Sequence, residues 1–179
     1  CHVHALDACN SLSHPVVALL MPRSASLLAC MLGCARAGIP FAAFDLSQPK
    51  ERTKGLLSQL EVLAVIGEEE WHVGPLIVPP KVTSPSPCEP SLFQAQFSED
   101  LYICFTSGSS GVPKAVRGSQ TATLNRLRWM WKRLPFGTSE LVLQKTSVAF
   151  VDSICEYFGG VLQGVPLNII EDDIAKDSH

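Results

Sequence analysis

The sequence predicts an α/β fold made of βαβ units around a parallel sheet. Three observations lead there. Val16 to Met21, Phe41 to Phe44 and Val62 to Ile66 are short apolar runs of strand length. The stretches between them instead carry apolar residues at helical spacing. The links are short, which favours parallel pairing through right-handed crossovers. With 179 residues, 46% of them hydrophobic, the chain can bury a sizeable core.

In chain order, the first strand stops at Pro22, and Ser24 or Ser26 caps the helix that follows. Leu27, Leu28, Met31, Leu32 and Ala35 fall on one face, and Gly38 and Pro40 end the helix. After the strand at Phe41 to Phe44, residues Asp45, Ser47 and Pro49 mark a turn. Asp45 reads as a turn cap and Arg52 as a surface charge. Lys50 to Leu60 is an amphipathic helix carrying Leu56, Leu57 and Leu60, and the third strand ends at Gly67. No G-x-G-x-x-G follows the first strand, which argues against dinucleotide binding. Residues 68–96 contain Pro75, Pro79, Pro80, Pro85, Pro87 and Pro90. They read as a connector with one short strand at Leu76 to Val78.

The most informative stretch comes next. The strand-like run Leu101 to Phe105 gives way to Thr106, Ser107, Gly108, Ser109, Ser110, Gly111, Val112, Pro113 and Lys114. Glycines let backbone N–H groups converge on an anion, the four hydroxyls add donors, and Lys114 adds a charge. This is the chemistry of a phosphate clamp. It is not the G-x-x-x-x-G-K-[ST] loop, because Pro113 precedes the lysine and strand-like residues follow it. The plainer alternative is a Ser/Gly-rich hairpin with a solvated lysine. Ala115 to Arg117 should return as a strand. Thr121 to Leu134 should form a helix with Leu124, Leu127 and Trp131 on one side and Arg126, Lys132 and Arg133 in water on the other. A strand at Glu140 to Lys145, a helix at Phe150 to Gly164 and a strand at Pro166 to Ile170 complete the chain.

A net charge of −3 gives no reason to expect nucleic acid or an anionic membrane as partner. No apolar run reaches membrane-spanning length, and no secretory signal opens the chain. Seven cysteines at irregular spacing and five histidines form no metal-ligand pattern. Free buried thiols suit a reducing, cytoplasmic setting. The start at Cys1 and the stop after a strand-like segment read as a piece of a longer protein.

TSGSSGVPK resembles the phosphate-binding loop T-S-G-[ST]-T-G-x-P-K-G-V of the adenylate-forming superfamily, with Ser110 for Thr and Ala115 for Gly. ARAGIPFAAFDLSQPKER is similar to a second segment of that family. NRLRWM and QKTSVAFVDSICEYFGGVLQG resemble nonribosomal-peptide-synthetase adenylation domains, whose pattern is Q-K-T-x-x-x-F-D-x-S-V-W-E-x-F-x-x-L-x-x-G. Gln144, Lys145, Thr146, Phe150, Ser153, Glu156, Phe158, Leu162 and Gly164 align without a gap. The resemblance implies the incomplete N-terminal portion of an adenylation domain. Within it, 15–67 is the βαβαβ part, 68–100 the connector, and 101–170 the phosphate loop and substrate pocket.

It also implies ATP and Mg²⁺, a carboxylic acid activated as an acyl-adenylate, and a thiol acceptor. That thiol is a phosphopantetheine arm on a carrier domain in the same longer chain, or coenzyme A. Thr106, Ser107, Gly108, Ser109, Ser110, Gly111 and Lys114 would hold the phosphates, with Thr106 and Lys114 catalytic. Phe150, Val151 and Asp152 would meet the substrate. Where the family has aspartate after the phenylalanine, this chain has Val151, and the carboxylate follows at Asp152. A Val-Asp pair there is similar to domains that activate β-amino acids such as β-alanine, so Asp152 is expected to bind a displaced amine. The alternatives are that Asp152 caps the helix at Ser153, or that the acid has no amine. The later Y-G-x-T-E segment, ribose-binding aspartate and C-terminal lysine of the family are absent, so the 179-residue chain alone is expected to be inactive. An acyl-CoA synthetase and a non-catalytic remnant of the fold, suggested by Ser110, Ala115 and Gln120, stay open as alternatives.

Overall fold

Short apolar runs alternating with amphipathic segments become a sheet covered on both faces. The computed structural model describes residues 13–67, 76–77, 98–107 and 111–170. Its elements are β1 (Pro15–Leu20), α1 (Ala25–Ala37), β2 (Phe41–Ala43), α2 (Lys50–Leu57), β3 (Glu61–Gly67), β4 (Leu76–Ile77), β5 (Asp100–Thr106), β6 (Lys114–Ser119), α3 (Gln120–Arg133), β7 (Val142–Gln144), α4 (Asp152–Val161) and β8 (Leu167–Ile169). Six strands form one sheet in the order β4-β3-β1-β2-β5-β6, and β7 and β8 form a second. Every pairing is parallel except the β5–β6 hairpin. The α/β expectation therefore holds. Val78 and most of the connector lie outside the described residues.

Strand β1 shows why the sheet is covered twice. Val17, Leu19 and Met21 join one core cluster with Leu27 and Met31 of α1. Val16, Ala18 and Leu20 join another with Leu56 and Leu57 of α2. A strand buried on both faces must be apolar at every position, which accounts for the unbroken run PVVALLM.

Ser24 is the cap of α1, its hydroxyl accepting the Leu27 N–H at 3.2 Å. Gly38 ends that helix at φ 66°, where a left-handed residue satisfies the last carbonyls. Several elements are shorter than the sequence predicts. Helix α2 stops at Leu57, and the N–H groups of Gln59 and Leu60 close tighter turns on Leu56 and Leu57. Strand β7 begins at Val142 rather than Glu140, and α4 runs from Asp152 to Val161 rather than from Phe150 to Gly164. Ser58 closes the last turn of α2, its N–H and hydroxyl donating to the Lys54 and Gly55 carbonyls at 3.0 and 2.9 Å, whereas no side-chain cap marks the start of α4.

Helix α4 approaches its neighbours through two glycines. A Cβ on Gly160 would meet Val142 Cγ2 at 2.5 Å, and one on Gly159 would meet Met130 Cε at 2.6 Å. Trp131 Nε1–H then donates to the Gly159 carbonyl at 2.7 Å. On α3, Leu127 is buried and Trp131 partly so, as their spacing predicts, whereas Leu124 stays exposed. Among the described residues, no helix is long and apolar enough to cross a membrane.

The β1–β3 contact yields a test of packing. A Cβ on Gly67 would lie 2.5 Å from the Leu20 carbonyl oxygen, a backbone atom that cannot rotate away. Gly67→Ala is expected to cost about 1–3 kcal/mol. Gly33→Ala, whose methyl meets nothing within 4 Å on a helix, should gain up to about 1 kcal/mol. Urea denaturation of the two variants measures both, in opposite directions.

Candidate functional site

Because β1, β2 and β5 run parallel, their carboxyl ends line up along one edge of the sheet. Open α/β sheets bind ligands outside that edge. Thr106 ends β5 there, and its cross-strand partner is Lys114, the first residue of β6. The clamp loop is thus the connection of a hairpin. Gly111 within it adopts φ 79°, a conformation that glycine tolerates best. Thr106, Ser107 and Lys114 are exposed, and Lys114 makes no ion pair among the described residues. Gly108, Ser109 and Ser110 lie outside the described residues.

The segment after β7 is fixed against the same edge by carboxylates. Glu156 of α4 accepts the N–H groups of Lys145 and Thr146 through Oε2, at 3.0 and 2.9 Å. Its Oε1 accepts the Thr146 hydroxyl at 2.6 Å. Arg23, in the loop after β1, donates to the Lys145 carbonyl at 2.6 Å. Ser147 donates its hydroxyl to Asp45 Oδ2.

Asp45 thus does more than cap its turn. Its Oδ1 accepts the Ser47 N–H and hydroxyl at 2.9 and 2.7 Å, while Oδ2 holds Ser147 from the far end of the chain. Partial burial pushes its carboxyl up, but the hydrogen bonds from Ser147 and Ser47 and the nearby Arg23 charge outweigh that. Together they hold it below the usual carboxylate range. A cavity of about 40 Å³ lies beside Asp45, between the ends of β2 and β5 and the residues Gln48, Arg52, Thr53 and Leu56 in and before α2, with Phe105 and Ala149 also in its wall; none of the predicted site residues lines it. Phe105 precedes Thr106 and Ala149 precedes Phe150, so the loop strand and the predicted substrate segment meet at this point.

The three predicted substrate residues lie together at the start of α4, and all are exposed, Phe150 at 65%. Asp152 is not the cap of α4. That position is Val151, which makes no side-chain cap bond. Asp152 is the first helical residue, and its Oδ1 accepts from Arg126 Nη2 at 2.9 Å. Arg126, expected to stand alone in water, is therefore paired. Sequence reasoning also missed the roles of Arg23, Ser147 and Glu156. The available signal was the four-residue step from Asp152 to Glu156, which places both carboxylates on one helix face.

No group of three metal-ligating side chains occurs among the described residues. Cys30, Cys34, Cys104 and Cys155 are free thiols. Burial pushes the Cys34 thiol up to about 12, aided by Cys30, which makes it a poor nucleophile at neutral pH.

With this geometry in view, likenesses to known proteins are informative. The family model of AMP-binding enzymes matches residues 4–179. The chain is 30% identical over 181 residues to the beta-alanyl-bioamine nonribosomal peptide synthetase ebony of Drosophila melanogaster, covering 94% of this chain and 21% of that protein. It is 32% identical over 168 residues to enterobactin synthase component F of Escherichia coli strain K12, covering 90% and 13%. Its fold resembles o-succinylbenzoate CoA synthetase (MenE) of Bacillus subtilis, solved with the acyl-adenylate intermediate OSB-AMP. There the TM-score is 0.74 at 15% identity, covering 93% of this chain and 46% of that one. The chain thus spans less than half the length of each of these proteins, and the last likeness is one of fold alone.

Two outcomes follow from the carboxylates. Asp45 has a depressed pKa, so its contribution to stability is present above the unfolded-state value near pH 4 and is lost as pH falls through its lower folded value. Thermal melts from pH 7 to 2 should show Asp45→Ala less stable than the parent at neutral pH, with the gap closing at the acid end. Glu156→Ala leaves two N–H groups and a hydroxyl without their acceptor and should cost about 1–3 kcal/mol. Hydrogen exchange would show faster amides at Lys145 and Thr146.

Proposed function

Because the chain belongs to the AMP-binding enzyme family, we propose that the protein carrying it uses ATP and Mg²⁺ to activate an amino acid of the β-alanine kind. A carboxylate oxygen of the acid attacks the α-phosphorus of ATP, pyrophosphate leaves, and the acyl-adenylate passes its acyl group to a thiol. The single observation that supports this best is the junction at the carboxyl edge. There Phe105, next to Thr106, and Ala149, next to Phe150, share one small cavity.

The donor set fits a polyphosphate. Thr106 and Lys114 face each other across the hairpin mouth, the lysine without a carboxylate partner among the described residues. Ser107, Ser109 and Ser110 would add hydroxyl donors, and Gly108 and Gly111 would let backbone N–H groups approach. Their work is to position the phosphates and to offset the charge that builds on the leaving pyrophosphate. Magnesium, when bound, would share that neutralising role. Phe150 and Val151 would contact the carbon skeleton, and Asp152 would receive the amine, because an ammonium beside apolar side chains needs a carboxylate.

The reading of β-alanine draws on the Val151-Asp152 pair and on the likeness to ebony, whose name describes a beta-alanyl product. The thiol would belong to a phosphopantetheine arm on a carrier domain of the longer protein. Coenzyme A is the second reading, compatible with a fold that a CoA synthetase also has. In this assignment 15–67 is the βαβαβ part, 68–100 the connector, and 101–170 the phosphate-loop and pocket part of the module.

The test is amino-acid-dependent ATP–pyrophosphate exchange by the full-length protein. Lys114→Ala should slow it about a hundredfold. Asp152→Asn should raise KM for β-alanine. An unimpaired Lys114→Ala enzyme would remove the phosphate assignment, and an unchanged KM in Asp152→Asn would remove the amine assignment.

A further inference from the structure

The carboxylate offered to the substrate amine already has a partner. Arg126 reaches from α3 to α4 and donates from Nη2 to Asp152 Oδ1 at 2.9 Å. The same guanidinium charge also acts on the Cys155 thiol, one turn further along α4, opposing the larger upward push of burial there. The arginine therefore sits in a defined place beside the helix start, with Asp152 and Cys155 on the same helix face.

We infer that Arg126 is a specificity-determining residue that weakens binding of an ammonium-bearing acid by competing for Asp152, a step that rests on the amine role proposed for Asp152 above. The charge balance gives the reason. An aspartate alone attracts an ammonium, whereas the Arg126–Asp152 pair is neutral overall. The Oδ2 oxygen of Asp152 takes no hydrogen bond among the described residues, so an amine has one place to land while Oδ1 is held. Two cations on one carboxylate repel each other at such range. The amine must bind against that repulsion or displace the arginine. Displacement is feasible because both side chains are more than half exposed, 58% for Arg126 and 66% for Asp152. Exposed pairs of this kind are weakly held.

The penalty falls only on acids that carry the amine. An acid of the same length without one makes no claim on Asp152. Arg126 thus sets how far the site prefers β-alanine over propionate. In the empty site it also neutralises a carboxylate that stands beside Phe150 and Val151.

The experiment uses the full-length protein and compares pyrophosphate exchange with β-alanine and with propionate. Parent, Arg126→Gln, Arg126→Lys and Asp152→Asn proteins are measured, with circular dichroism to check folding. In Arg126→Gln the ratio of kcat/KM for β-alanine over propionate should rise several-fold, mainly through a lower KM for β-alanine. Arg126→Lys, which keeps the charge, should stay near the parent ratio, and Asp152→Asn should lower the ratio sharply. If Asp152→Asn lowers it but Arg126→Gln leaves it unchanged or lower, the inference on Arg126 falls and the amine reading stands. If Asp152→Asn leaves the ratio unchanged, or the parent exchanges with neither acid, the amine reading falls and takes the inference with it.

Discussion

The geometry of the site depends on the half-buried carboxylate of Glu156. The chain leaves β7 in a turn where the N–H groups of Lys145 and Thr146 have no strand to pair with. Backbone donors in such a place need a substitute partner. Glu156 accepts both, together with the Thr146 hydroxyl. Bonds to an ionised acceptor are stronger than neutral ones. The turn is thereby tied to α4, whose first residue is Asp152. From the pinned turn, Ser147 reaches Asp45 beyond β2, and the Lys145 carbonyl meets Arg23 beyond β1. The small second sheet is in this way joined to the carboxyl edge of the large one.

The hairpin that carries the clamp loop is held by different means. Phe44 and Phe105 pack with ring centroids 6.1 Å apart, joining the ends of β2 and β5. Tyr102 lies over its cross-strand partner Gly118, where a Cβ would come within 2.1 Å of the ring. Arg117 and Asp100 pair at 2.9 Å near the hairpin base. These contacts hold the two arms of the hairpin on which Thr106 and Lys114 stand opposite each other. The two halves of the site thus rest on separate supports, aromatic packing for the loop and charge-assisted hydrogen bonds for the pocket segment.

Much of the fold was legible in the sequence because local signals agreed with the final structure. Ser24 and Gly38 mark the two ends of α1 in both. The unbroken apolar run at β1 predicts a strand covered on both faces, and the two core clusters cover it. Element ends were less legible where no side-chain cap marks them, as at Val151, or where a serine rather than a glycine closes the last turn, as at Ser58. The pocket network was not legible, because its partners are far apart in the chain. Asp45 and Ser147 are separated by 102 positions, and Arg126 and Asp152 by 26. A basic residue on a helix face looks solvated until the fold brings a carboxylate beside it.

The position of that carboxylate has a physical consequence of its own. Residue 151 is the cap of α4, outside the helix proper, and residue 152 opens its first turn. An aspartate at a cap normally spends its oxygens on the free N–H groups of the first turn. Moved one residue on, it is rotated about 100° around the axis. It then retains a favourable interaction with the helix dipole without being committed to capping. The observed side chain does reach sideways, to Arg126 on the neighbouring helix. The valine left at the cap supplies an apolar surface beside it and no competing acceptor. A one-residue shift therefore changes which partner the carboxylate can hold as well as where it stands, and the availability of Asp152 for a cation outside α4 follows from that shift.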